Sequence, residues 1–180
     1  MMTHFSKAPG NLKGWWYKPD DLHAFFKKFL LSPSFNIHEV VPERFKFFID
    51  FDYKNPAEYL PDDVIIHLRR LFDGHVGSPS LLAVNKHDFK TGLHFVYPER
   101  VVSRLEAIQL ITEIKEAHPE VEDYLDEVPY TRSLRTIFSV KMVGEKDYYV
   151  PCDGGRDAET MVRYSIYTHS SSCGTACPVI

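Results

Sequence analysis

Cysteine is scarce in this chain. Cys152, Cys173 and Cys177 are all it carries in 180 residues, too few and too unevenly spaced for a disulfide framework or a zinc site. Long apolar runs are missing as well, and none approaches the about 20 residues that cross a bilayer. The N-terminus has no apolar stretch behind a basic start, so no secretory signal is expected and the chain reads as an intracellular protein of cytoplasm or nucleus, with no membrane partner. Positive charge is not in excess either. The formal net charge is -4, whereas a protein that coats duplex DNA is usually basic, because phosphate contacts carry most of its affinity. Mild acidity fits an enzyme whose carboxylates hold metal while its basic groups gather in one local groove. Repeats and low-complexity tracts are also lacking.

What the chain does have is apolar and aromatic mass. Hydrophobic residues make up 44%, charged residues 26%, and there are 13 Phe and 10 Tyr. Such a composition buries a core and argues against disorder, with aromatics left over that could stack on bases. The length suits one domain. The organisation expected is an N-terminal helical appendage over 1–44, a catalytic core over 45–168 and a tail over 169–180.

Periodicity predicts a helix over 20–31, capped by Asp20 or Asp21, with Leu22, Phe25, Phe26, Phe29 and Leu30 on one face and Pro33 as its stop. Residues 45–52 (FKFFIDFD) alternate as a strand, sending Phe45, Phe47, Ile49 and Phe51 to one side and Lys46, Phe48, Asp50 and Asp52 to the other. A helix over 62–72, ended by Gly74, follows. Strands are expected over 80–85 and 92–97, with a turn over 86–91 and Pro98 closing the second. A third helix starts in a Ser103/Glu106 capping box, with Leu105, Ile108, Ile111 and Ile114 facing inward. Residues 134–141 (LRTIFSVK) alternate as a last strand. The order implies an α+β fold, a mixed or antiparallel sheet backed by helices.

Three features carry chemistry. Asp50 and Asp52 project from one face of a strand whose other face is apolar. Two adjacent acids repel unless a cation is present, and hard divalent cations take such oxygen ligands; the plain alternative is a solvated strand end. In Lys90-Thr91-Gly92-Leu93-His94, extended backbone puts Lys90, Gly92 and His94 on one side. Glycine there admits close approach, and the flanking cations suit a triphosphate; the alternative is a hairpin with a packed histidine. In the last strand Arg135, Ser139 and Lys141 share parity, a cationic row that meets either anions or solvent. Asp126 is one acid among Glu120, Glu122, Asp123 and Glu127, and nothing local selects it.

Taken in order, FFIDFDYK, KTGLHFVYP and LDEVPYTRSLRTIFSVK resemble the motifs of the archaeo-eukaryotic primase superfamily over about residues 45–141, nearest to PrimPol-type enzymes and to the primase domains of primase-helicases of large DNA viruses. The resemblance implies an RRM-like primase core and DNA primase or primase-polymerase activity. It implies Asp50, Asp52 and Asp126 as catalytic metal ligands for Mg2+ or Mn2+. Lys90 and His94 would contact the phosphates of the incoming nucleotide, and Arg135 and Lys141 nucleotide or phosphate, with Arg132 a further candidate and no role for Ser139. Partners would be a single-stranded DNA template, nucleoside triphosphates, and a helicase domain or subunit. Two departures stand out. Gly92 occupies a position often held by serine, and Pro129-Tyr130 shifts the acidic stretch so that Glu127 is the alternative to Asp126. Other classes compatible with the residues are a non-catalytic single-stranded nucleic-acid-binding module stacking bases on Phe48, and another DxD metal enzyme, a nuclease or glycosyltransferase.

Overall fold

The computed structural model describes residues 2–6, 14–17, 21–32, 35–55, 57–141 and 147–168. Pro33, Cys173, Cys177 and the expected tail over 169–180 lie outside them. The described strands form two antiparallel sheets backed by helices, an α+β fold.

The sheet that matters for the site has β4 (Arg44–Lys54) at its heart, flanked by a short β7 (Leu125–Asp126) and by β6 (Lys90–Ser103), with β5 (Leu81–His87) and β9 (Val150–Pro151) completing the order β7-β4-β6-β5-β9. Phe45, Phe47, Ile49 and Phe51 are all buried, as their alternation predicts. Phe51 and Phe95 both meet Phe72 of α2 (Asp62–Val76), at 6.2 and 5.1 Å between ring centroids. Burying one such aromatic is worth about 1.5–3 kcal/mol, so this layer fixes which face of β4 is left for polar groups.

Several expectations change. Phe48, read as an exposed stacking residue, is buried, because Tyr130 packs on it at 4.6 Å and donates its hydroxyl to the Phe48 carbonyl. Lys46 is also buried; its ammonium donates to the carbonyls of Val162 and Arg163 at the end of α5 (Ala158–Tyr164), and burial lowers its pKa. The helix expected to stop at Gly74 runs to Val76, and the left-handed residue that ends it is Gly77, at φ 71°. Pro98 does not close β6, which continues to Ser103. The pairing slips there, from Phe48↔Val96 to Lys46↔Val101, so Pro98 sits in a bulge where no ladder donor is required. In α3 (Arg104–Ala117) the capping box forms as expected, but Leu105 is exposed and Ala107 takes the core position with Ile111 and Ile114. Asp21, rather than Asp20, caps α1 (Leu22–Leu30) through the Ala24 amide at 2.9 Å.

The last strand is the largest revision. Instead of running over 134–141, β8 spans only Ser133–Arg135 and joins a second sheet in the order β2-β1-β3-β8, with β1 (Met2–Ser6), β2 (Gly14–Tyr17) and β3 (Ile37–Val40). Residues 1–44 therefore hold three strands and a helix among the described residues, and β3 pairs with β8. A turn at Ile137-Phe138 breaks the alternation: Phe138 takes φ 60°, buries its ring and donates its amide to the Tyr149 carbonyl at 2.9 Å. Val140 then donates to Phe35 at 2.8 Å, so this segment stitches the two sheets together. Among the described residues no helix is long and apolar enough to cross a membrane.

A carboxylate cleft between two sheets

Ladder register assembles the site. Asp50 pairs with His94 across β4 and β6, Asp52 with Gly92, and Lys54 with Lys90. On the other flank of β4, Asp50 pairs with Asp126 of β7. Directly opposed residues in an antiparallel ladder have Cβ atoms about 4.5–5.5 Å apart on the same face. The three acids and the histidine thus meet although they are distant in sequence. Arg135 arrives from the second sheet, where it pairs with His38. All seven residues singled out from the sequence, Asp50, Asp52, Lys90, His94, Asp126, Arg135 and Lys141, line one open cleft of about 410 Å³, and Arg132 lies on its rim.

The charges inside are unevenly satisfied. Lys90 Nζ lies 2.6 Å from Asp52 Oδ2. His94 Nε2 approaches Asp50 Oδ1 to 3.4 Å without hydrogen-bond geometry, and Oδ1 of both Asp50 and Asp52 is buried with no hydrogen-bond partner among the described residues. Burying a carboxylate oxygen unpaired is costly. Asp126 accepts the Val128 amide at 2.8 Å, yet burial and then the nearby Asp50 and Asp52 push its pKa up. Glu127, the alternative to Asp126, turns to Lys115 instead.

Two residues that the motif reading missed organise the cationic wall. Tyr149 stacks on His94, with centroids 3.5 Å apart at 21°, and the Arg135 guanidinium lies 5.1 Å over the same ring. Burial, then Asp50 and Asp52, raise the Tyr149 pKa, so its hydroxyl stays protonated. Asp147 holds Arg135 by two bonds, Nη1 to its carbonyl at 2.9 Å and Nη2 to its carboxylate at 3.1 Å, and its carboxylate also accepts from Asn85. Burial alone would raise the Asp147 pKa, but the Asn85 hydrogen bond and Arg135 outweigh it and hold the carboxyl below its usual range. The only sequence signal for this pair is shared parity in Asp147-Tyr148-Tyr149, too short to separate from a loop. Ser139 does not join the cationic row. It is buried, accepting the Ile37 amide at 3.0 Å and sharing a hydrogen bond with Thr136.

The donor set is all oxygen at the acidic end, which suits a hard divalent cation. Among the described residues no three ligating side chains stand ready around one point, and Lys90 is paired with Asp52. The two orphaned oxygens and the raised Asp126 nevertheless fit such an ion, since it would satisfy the former and relieve the latter. No protein-family model matches the chain, and a comparison with curated proteins gives no match.

Proposed function

We propose that this chain is the catalytic domain of a DNA primase or primase-polymerase, joining nucleotides on a single-stranded DNA template. The observation that carries the reading is the gathering, in one cleft, of three carboxylates, Asp50, Asp52 and Asp126, with Lys90, His94, Arg135 and Lys141. We read the β7-β4-β6-β5-β9 sheet as the RRM-like half of an archaeo-eukaryotic primase core, in keeping with the motif resemblance.

In this reading Asp50, Asp52 and Asp126 hold Mg2+ or Mn2+, which when bound stabilises charge on the attacking 3′-oxygen and the leaving pyrophosphate. The residues of the chain position the reactants. Lys90, beside Asp52 in the same cleft, would supply a cation to the triphosphate. His94 is wedged between Asp50 and Tyr149, its ring fixed for a phosphate contact. Arg135, pre-oriented by Asp147, presents its remaining donors to the anion, and such preorganised donors supply much of the stabilisation of a charged transition state. Nucleoside triphosphates are the substrates, and a helicase domain or subunit is the expected partner.

The test is incorporation of labelled nucleotide on a homopolymer template, with ribo- and deoxyribonucleotides, in Mg2+, Mn2+ or chelator. Metal-dependent extension that Asp50→Ala abolishes is expected. A wild-type chain inert under every condition, or an Asp50→Ala variant with undiminished synthesis, would overturn the assignment.

A further inference from the structure

We propose that the tip of the β5–β6 hairpin is a stacking platform for single-stranded nucleic acid, on which Phe89 and Tyr59 take a base and Lys54 a neighbouring phosphate. The first observation is backbone strain. The two turn residues, Asp88 and Phe89, both lie in the left-handed region, at φ 48° and 57°. A two-residue hairpin turn of this hand favours Asn-Gly or Asp-Gly, and an aromatic at the second position is a genuine outlier. Glycine would serve the fold better. Burial offers no compensation, because Phe89 is 55% exposed. A side chain that is both strained and exposed points to a role outside folding.

The second observation is what surrounds it. The Phe89 ring lies nearly parallel to Tyr59, at 6.2 Å and 14°, and Tyr59 is itself 40% exposed. Both are held on fixed backbone: the Asn55 amide donates to the Phe89 carbonyl at 3.2 Å, and the Leu60 amide to the Thr91 hydroxyl at 3.0 Å. Charge complementarity selects the occupant. Lys86 and Lys90 of the same hairpin have carboxylate partners, but Lys54 and Lys141 form no ion pair among the described residues. They border a hollow of about 440 Å³ that includes Phe89, together with His87 and Asp88, which face each other at 3.2 Å. Lys90, Lys141 and Asp147 line both this hollow and the carboxylate cleft, so the two adjoin. Lys54 is two residues along β4 from Asp52, roughly 7 Å at strand rise. Aromatic faces beside unpaired cations suit unstacked bases on a phosphate backbone, and a duplex keeps its base faces hidden.

As a path leading a template to the carboxylates, the platform rests on the polymerase reading, but binding at it needs neither metal nor nucleotide. The test is therefore the anisotropy of a fluorescein-labelled oligo-dT in chelator, with incorporation measured separately. Phe89→Gly should weaken strand affinity about fivefold or more while the melting temperature holds or rises; Phe89→Trp should keep the affinity. Lys54→Ala should reduce the slope of log affinity against log salt by about 0.7. If the wild type incorporates no nucleotide yet Phe89→Gly still loses the strand, the platform stands and the polymerase reading falls. If the wild type binds no oligo-dT, or Phe89→Gly binds it equally well, the platform is overturned whatever the incorporation assay gives.

Discussion

Gly92→Ala is the sharpest perturbation the site allows. A Cβ at Gly92 would stand 2.6 Å from the Tyr149 hydroxyl and 3.1 Å from two of its ring carbons. The ring has no room to retreat, because Tyr149 is buried, stacked on His94 and covered by Arg135. Overpacking of this kind costs about 1–3 kcal/mol, whereas the gain from stiffening the unfolded chain on Gly→Ala is about 0.4–1 kcal/mol. Destabilisation should win. With each kcal/mol worth about 2–4 °C for a chain of this size, a fall of up to about 10 °C in melting temperature follows. The cause is checked by repeating the substitution with Tyr149→Ala already in place. The clash is then gone, and the two changes should couple by about 1–3 kcal/mol in a double-mutant cycle. An equal loss in both backgrounds, or none in either, would refute the packing argument. Because the displaced ring is the one that wedges His94, Gly92→Ala should also raise the Michaelis constant for nucleoside triphosphate without changing affinity for the template.

Asp50→Ala and Asp52→Ala should both abolish nucleotide addition; in chelator Asp50→Ala should melt at or above the wild-type temperature, since it removes a buried unpartnered oxygen and like-charge repulsion, while in Asp52→Ala the lost Lys90 ion pair offsets that relief; a large loss of melting temperature in Asp50→Ala would make that acid structural. His94→Ala should weaken nucleotide use by roughly ten- to a hundredfold, from a charged hydrogen bond worth about 1.5–3 kcal/mol, and an unchanged Michaelis constant would remove it from the site. It should also lower the melting temperature, because the ring is buried against Tyr149. For Asp126 the folded pKa is raised, so the folded state holds its proton more tightly than the unfolded state, and this residue's contribution to stability declines as pH rises from the unfolded to the folded value. Asp126→Asn, melted without metal across that acidic window, should lose this component and gain stability relative to wild type as pH increases; parallel curves would contradict it.

How much of this was legible in advance depends on the range of the physics involved. β4 was readable because its alternation is local: four large apolar side chains at period two demand one covered face, and the helices supply it. The same holds for the Ser103/Glu106 cap, whose two hydrogen bonds close within four residues. Reading failed where a distant partner overrides the local pattern. Phe48 has the parity of an exposed residue, but Tyr130 lies 82 positions away and covers it. LRTIFSVK alternates well enough for a strand, but burying Phe138 and bonding its amide to Tyr149 favours a turn, and that choice sends Arg135 into one sheet and Ser139 into the interior.

The site divides the same way. Co-facing acids on β4 follow from strand parity, and so does Lys90 beside Gly92 and His94 on β6. That β4 and β6 bring Asp50 opposite His94 depends on the pairing of two strands separated in sequence by α2 and β5, a long-range register that no composition reveals. The departure at Gly92 shows how a missed residue can hide behind a recognised one. Its lack of a side chain had been attributable to a ligand's approach, yet the group that fills the space is Tyr149. A serine there would collide with the ring as an alanine would. Gly92 and Tyr149 are therefore a single packing solution, and the position of His94 against Asp50 depends on both.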